Sequence, residues 1–266
     1  MYIWLFYAFL GAFSGVMAGL LGIGGGLIIV PGLIWVFQSY GFSEHILTQL
    51  AIGTSLGSIV LTSIASSYGH HRAKAVNWPL VKTLSIGIVL GAIIGAVIAD
   101  QVRGAVLQSL IGIFAWVMAI KMGFDLKPKG GHVMPGKAGQ IAAAGVIGAV
   151  SSLFGIGGGA LMVPYLTWCG LKIQQAVGAS AATGFTLAVS GALSYMIVGW
   201  HHAELPAWSS GYIYWPALFG ITTMSIFFAQ LGAWLAHQIK GSTLKHIFAV
   251  FLVFVGGKLL WAALVH

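Results

Sequence analysis

Two short glycine runs hold the groups best able to do chemistry in this chain, and the chemistry is that of bare backbone. Gly22-Ile23-Gly24-Gly25-Gly26 and Gly155-Ile156-Gly157-Gly158-Gly159 each stand inside an apolar stretch, with Pro31 and Pro164 five residues beyond. Such a run strips side chains from successive positions and frees N–H groups that an unbroken helix would pair, and in hydrocarbon those donors must find partners. The residues that follow begin a new helix, whose first turn carries unpaired N–H groups and a partial positive charge. A small anion satisfies both demands. The expected donors are the amides of Gly24, Gly25, Gly26 and Leu27, opened by Gly22, and of Gly157, Gly158, Gly159 and Ala160, opened by Gly155. The plainer use of the same glycines is close helix packing. Pro31 and Pro164 each remove a donor and loosen a carbonyl, so both are expected to kink their short helices.

Two further segments carry uncommon polarity. Thr48, Gln49, Thr54, Ser55 and Ser58 mark the first, and Gln174, Gln175, Ser180, Thr183 and Thr186 the second. Thr54, Ser55 and Ser180 lie in a repeated A-x-G-[TA]-S pattern and are the expected secondary donors, able to solvate an anion without a fixed charge. Hydrogen bonds between helices are the equal alternative, at about 0.6 kcal/mol each.

The remaining reactive side chains exclude more than they suggest. Only four acids occur, Glu44, Asp100, Asp125 and Glu204, all at expected segment ends or loops. Carriers of cations and proton relays keep carboxylates inside the membrane, so this distribution, with a net charge of +8, favours an anionic cargo. The pairs His70-His71 and His201-His202 follow the same helix in each half, but adjacent histidines form no metal-ligand spacing. Neither a metal nor another cofactor is expected, and no nucleophile–base pair points to an enzyme. Cys169 has no partner for an internal disulfide and reads as a packing residue. Lys82, Lys121 and Lys258 are expected to snorkel to a membrane surface, and six of the tryptophans, Trp4, Trp78, Trp200, Trp208, Trp215 and Trp261, to form an aromatic belt.

The elements that must position these groups are membrane helices. The chain is 59% hydrophobic and 6% charged, with mean hydropathy +0.97, and uncharged stretches such as Met1–Ser43, Ala138–Leu171 and Leu205–Ile239 exceed the ~20 residues that span a bilayer. Met1–Leu10 lacks a basic start and runs on past signal length, so it reads as the first membrane segment. Gly15–Trp35 aligns with Gly148–Trp168 without a gap, 11 of 21 positions being identical. Farther on, Trp78-Pro79 matches Trp215-Pro216, Gly95-Ala96 matches Gly232-Ala233, and Lys121 matches Lys258. The expected organisation is therefore a first repeat over 1–124, a polar cytoplasmic linker over 125–138 and a second repeat over 139–266. Segments are expected at 1–38, 46–69, 76–99 and 104–124, then 139–168, 176–200, 212–236 and 244–265.

Leu27–Gln38 and Ala160–Trp168 extend only ~18 and ~14 Å as helix, too short for ~30 Å of hydrocarbon. Each broken segment is thus expected to turn back as a helical hairpin. Reversal gives each half odd parity, placing Arg72, Lys74, Lys127, Lys129, Lys137, Lys172 and Lys240 on one side and Arg103 on the other, as the positive-inside rule requires. The fold class is all-α: a polytopic membrane protein of two homologous halves in an inverted repeat, each a glycine-broken hairpin plus three transmembrane helices. Interrupted helices at matching places in two repeats mark a substrate site at a transporter's centre.

With its doubled G-x-G-G-G-x-x-x-x-P cassette at Gly22–Pro31 and Gly155–Pro164, followed by Gly53-Thr54-Ser55-Leu56 and Gly178-Ala179-Ser180, the chain resembles the TauE/SafE sulfite exporter family over nearly its whole length. The resemblance implies a secondary carrier or exporter of small anions such as sulfite, sulfoacetate and related organosulfur compounds. Ala179 stands where the first half has Thr54, which breaks any symmetric role for that threonine. The expected protein is a multi-pass transporter of the plasma membrane, in a bacterium the inner membrane, working by alternating access. Its partners are a small anionic substrate and the lipid bilayer, not nucleic acid, and a homo-oligomer is left open. A passive anion channel and a proton-coupled carrier of another small solute are the alternatives.

Overall fold

Caps and glycines cut one apolar chain into separate helices. Asn77 precedes a helix and its Oδ1 accepts from Leu80 N at 3.3 Å, with Pro79 in the first turn, where a missing N–H costs nothing. Gly155 ends a helix at φ 65° and Gly158 opens the next at φ 74°, left-handed conformations that any side chain would strain.

The computed structural model describes residues 2–21, 25–124, 132–236 and 241–265. The elements are α1 (Tyr2–Leu21), α2 (Gly26–Ser39), α3 (Leu47–Arg72), α4 (Trp78–Gln101), α5 (Gly104–Gly123), α6 (Lys137–Phe154), α7 (Gly159–Trp168), α8 (Ile173–Val198), β1 (Ser209–Ser210), β2 (Ile213–Tyr214), α9 (Trp215–Ala236) and α10 (Gly241–Val265). Among the described residues, α3, α4, α5, α6 and α8 are long and apolar enough to cross a membrane. The protein is an all-α, multi-pass membrane protein. Gly22, Ile23, Gly24, the first half of the expected linker (125–131) with Lys127 and Lys129, and Lys240 lie outside the described residues.

The boundaries expected at 69, 176, 212 and 244 each move by three residues, and one of these shifts has a visible cause. The segment expected from 212 begins at Trp215, because β1 and β2 pair first as an antiparallel hairpin, Ser209 opposite Tyr214, around Gly211 at φ 55°. Pro216 then occupies the first turn of α9, where it is tolerated.

Both broken segments reverse. Ser14 lies beside Gly25, Leu10 beside Gly32 and Phe6 against Trp35, so α2 returns along α1. In the second half, the His132 ring, just before α6, packs at a tilt on Trp168 with centroids 4.4 Å apart, and the His132 backbone N–H donates to Trp168 O. The end of α7 has come back to the start of α6.

The helices pack across the halves in matched pairs. A Cβ on Gly15 of α1 would lie 2.6 Å from Ser225 O of α9, and one on Gly148 of α6 would lie 2.7 Å from Ile88 O of α4. Likewise Gly232 closes on Val16 O, and Gly95 on Ala149 O. These are the same contacts written twice, at the offsets that relate the two sequence copies. In both, the helices run parallel and glycine lets backbones touch. By contrast, α3 and α8 run antiparallel, with Leu56 against Gly191 and Ser67 Oγ donating to Ala181 O at 2.9 Å. So do α5 and α10, with Gly112 against Leu260, Trp116 Nε1 donating to Val253 O at 3.0 Å, and Gly123 against Ala249.

Candidate functional site

The two glycine runs meet each other. A Cβ on Gly26 would collide with Gly155 O and lie 2.8 Å from Ile156 Cα. Ser55 Oγ donates to Gly155 O at 2.9 Å, and Val30 and Ile52 pack on Gly155. Ser55 stands about 12 Å along α3 from Leu47 and about 26 Å from Arg72 at 1.5 Å per residue. The junction is therefore inside the bundle. Gly25, Gly26, Leu27, Gly155, Gly158, Gly159 and Ala160 are buried, and Gly157 is half-buried.

Each run ends by starting a short helix, and neither start has a side-chain cap. In α2, Ile28 N and Ile29 N donate to Gly25 O, and in α7, Leu161 N and Met162 N donate to Gly158 O. Helix geometry then leaves the N–H groups of Gly26 and Leu27, and of Gly159 and Ala160, without a carbonyl of their own helix. Buried donors of this kind need partners. Both helix starts also bring about half a positive charge, and the acids within the described residues, Glu44, Asp100 and Glu204, lie at segment ends and in a loop. Pro31 and Pro164 stand inside α2 and α7, where the missing N–H withholds a helical partner from the carbonyls of Leu27 and Ala160.

The hydroxyls expected as secondary donors have other work in this conformation. Ser55 is bonded to Gly155 O, and Thr54 Oγ1 accepts from Tyr214 N at 3.0 Å. Ser55 thus ties α3 to the end of α6, and Thr54 ties α3 to β2. Ser180 is buried on α8. The backbone contacts beside them repeat between the halves: Gly53 closes on Tyr212 O, and Gly178 comes within 2.6 Å of Ala75 O for a built Cβ. Of the other polar residues, Gln49 Nε2 donates to Ala99 O and Val102 O, and Gln108 Nε2 to Thr48 Oγ1. Thr183 bonds back to its own helix, and Thr186 meets Ser85 across to α4 at 3.2 Å.

A polar cavity of about 430 Å³ opens at the end of the bundle where α3 starts. Arg103, His45, Glu204 and Gln49 line it, and Asp100, His202 and Tyr212 form a clasp on its wall. Tyr212 Oη donates to Asp100 Oδ1 at 2.7 Å, and His202 Nε2 lies 3.2 Å from the same oxygen. Burial first, then the bond to Asp100 and its charge, hold the Tyr212 phenol above the usual tyrosine range, so it remains a donor at neutral pH. Gln49 Oε1, on the floor, is buried without a partner. About 9 Å of α3 separates Gln49 from Ser55, filled by fully buried Leu50 and Ile52. The sequence pointed to Arg103, Asp100 and His202 only as loop residues. Their one shared signal was position, since all three fall at segment ends on the side opposite the basic loops.

The chain is similar to known membrane proteins over nearly its whole length. The model of a family described as sulfite exporter TauE/SafE matches residues 7–259. A probable membrane transporter protein of Haemophilus influenzae is 38% identical over 250 residues, covering 92% of this chain and 93% of that protein. Another probable membrane transporter protein, from Methanocaldococcus jannaschii, is 28% identical over 253 residues, with 92% and 91% covered. The probable membrane transporter protein YunE of Bacillus subtilis is 27% identical over 274 residues, with 95% of each covered.

Proposed function

The chain belongs to the sulfite exporter TauE/SafE family, and from that membership we propose that it exports a small oxyanion, sulfite or an organosulfur anion such as sulfoacetate, across the plasma membrane. The observation that carries this reading is the meeting of the two glycine runs, Gly26 of one against Gly155 of the other, each run leading into an uncapped, buried helix start. Their four amides, of Gly26, Leu27, Gly159 and Ala160, are donors without a fixed counter-charge. Such a cradle attracts an anion and can release it again.

In this conformation the runs are closed on one another, so substrate must part them. Alternating access follows from two repeats rocking about the junction. The antiparallel packing of α3 on α8 and of α5 on α10 supports an inverted arrangement, because equivalent helices that run antiparallel across a two-fold axis require that axis perpendicular to them, in the membrane plane. Parallel pairs α1–α9 and α4–α6 then tie each half's first helix to the other half.

Purified protein in liposomes tests the reading directly. Sulfite or sulfonate uptake that saturates and is accelerated by unlabelled anion on the opposite side is the expected result. Linear, non-saturating flux with no counterflow would instead identify a passive channel, and no anion flux at all would remove the proposal.

A further inference from the structure

Beside the short helix α2, an apolar groove of about 500 Å³ runs between α1, α2 and α10. Its floor reaches Ile28 and Pro31, next to the glycine junction, and its upper end is marked by Trp35, Gln38 and Lys258. Ile28 to Gln38 is about 15 Å of helix, half of the ~30 Å hydrocarbon core. The groove is therefore one leaflet deep. This depth follows from the fold, because α2 begins at the break inside the bundle and covers only half a membrane.

The walls are open to the bilayer. Phe9 is 66% exposed and Phe254 is 72% exposed, while Leu10 and Leu259 close the back. Lys258 alone brings charge to the lining. Its Nζ stands 4.3 Å from the centre of the Trp35 ring, and it makes no ion pair among the described residues. It lies seven residues before the end of α10, about 10 Å down the helix, a depth from which the long side chain reaches toward the headgroups. An unpaired ammonium at the polar end of an acyl-length apolar slot complements one kind of molecule: an amphiphile with a negative headgroup.

We propose that this groove is a binding site for one anionic phospholipid, with an acyl chain between α1, α2 and α10 and the lipid phosphate on Lys258 Nζ. The Gln38 amide is the second polar group at the headgroup level. The site is independent of the anion carried through the junction, so failure of one reading leaves the other intact.

Native mass spectrometry of the detergent-purified protein titrated with phosphatidylglycerol or phosphatidylcholine tests the site. The expected result is one phosphatidylglycerol retained in preference to phosphatidylcholine. Lys258→Gln should weaken that adduct about five-fold, the equivalent of one Lys–headgroup attraction, while Lys258→Arg keeps it. Ala262→Trp, which fills the groove and leaves the lysine in place, should also lose it. Equal retention of both lipids, an unchanged adduct in Lys258→Gln, or the same loss in the distant Lys82→Gln would each overturn the assignment. A lipid-free dimer that Ala262→Trp dissociates would overturn it too, by showing that a second copy of the chain fills the slot.

Discussion

Gly26 lies directly against Gly155, the two glycine runs touching so closely that no side-chain carbon fits between them. Gly26 opens α2 in the first half, Gly155 closes α6 in the second, four residues before α7 starts, and the first amides of α2 and α7 lack partners in their own helices. Under the carrier reading proposed above, closure of this junction and access to the first amides of α2 are alternatives.

Gly26→Ala places a methyl group on the Gly155 carbonyl and forces the runs apart. Overpacking of this kind costs about 1–3 kcal/mol. Sulfite or sulfonate flux should fall at least ten-fold while the protein still inserts, with a lower melting temperature in detergent. Gly25→Val and Gly158→Val should each abolish transport as well, the latter because a β-branched residue is strained at φ 74°. Unchanged flux in either valine variant would remove the cradle.

Ser55→Ala leaves Gly155 O without its donor. Hydrogen bonds between membrane helices contribute about 0.6 kcal/mol on average and up to about 1.7, so a modest loss of thermal stability is expected. The measurement is the melting temperature in detergent beside that of Thr54→Ala, which removes the acceptor of Tyr214 N.

Tyr212→Phe opens the clasp on Asp100. A hydrogen bond to a charged group is worth about 1.5–3 kcal/mol, and with Asp100 partly exposed the variant should lose stability toward the low end of that range at neutral pH. The pH dependence has a definite sign. A phenol held above its ordinary pKa stabilises the fold in its protonated form, so the wild-type contribution is complete below about pH 10 and declines as pH rises further. Tyr212→Phe should show a smaller alkaline loss.

Topology is tested with reporter cysteines in a Cys169→Ala background. Lys74→Cys and Lys172→Cys should react with an impermeant thiol reagent only from the cytoplasmic side, and Arg103→Cys only from the opposite side. If Lys172→Cys reacted with Arg103→Cys instead, the glycine segments would cross straight and the inverted arrangement would be wrong.

Helix existence and most boundaries were legible because they depend on local chemistry. Asn77, Pro79 and the glycine runs terminate or start helices by their own backbone preferences, and α3, α4, α5, α8 and α10 begin and end within a few residues of expectation. The start of α9 is off by no more than those, but its cause was not legible, since β1 and β2 exist only through their pairing across Gly211. The roles of Thr54 and Ser55 were equally open in the sequence. A hydroxyl in an apolar helix takes whichever partner the neighbouring backbone presents, and here those partners are Tyr214 N and Gly155 O, 160 and 100 residues away.

By itself the sequence determined that this is a membrane protein of two related copies, each interrupted by glycine, with few charges and none inside the candidate site. Composition and repetition suffice for that, because hydrocarbon tolerates only internally bonded backbone and punishes buried charge. Only the tertiary structure decided that the interruptions meet, that α1 pairs with α9 and α6 with α4, and that Asp100 finds Tyr212 across 112 residues. Those choices rest on which backbones can approach closely in three dimensions, a property of surfaces brought together by the whole fold.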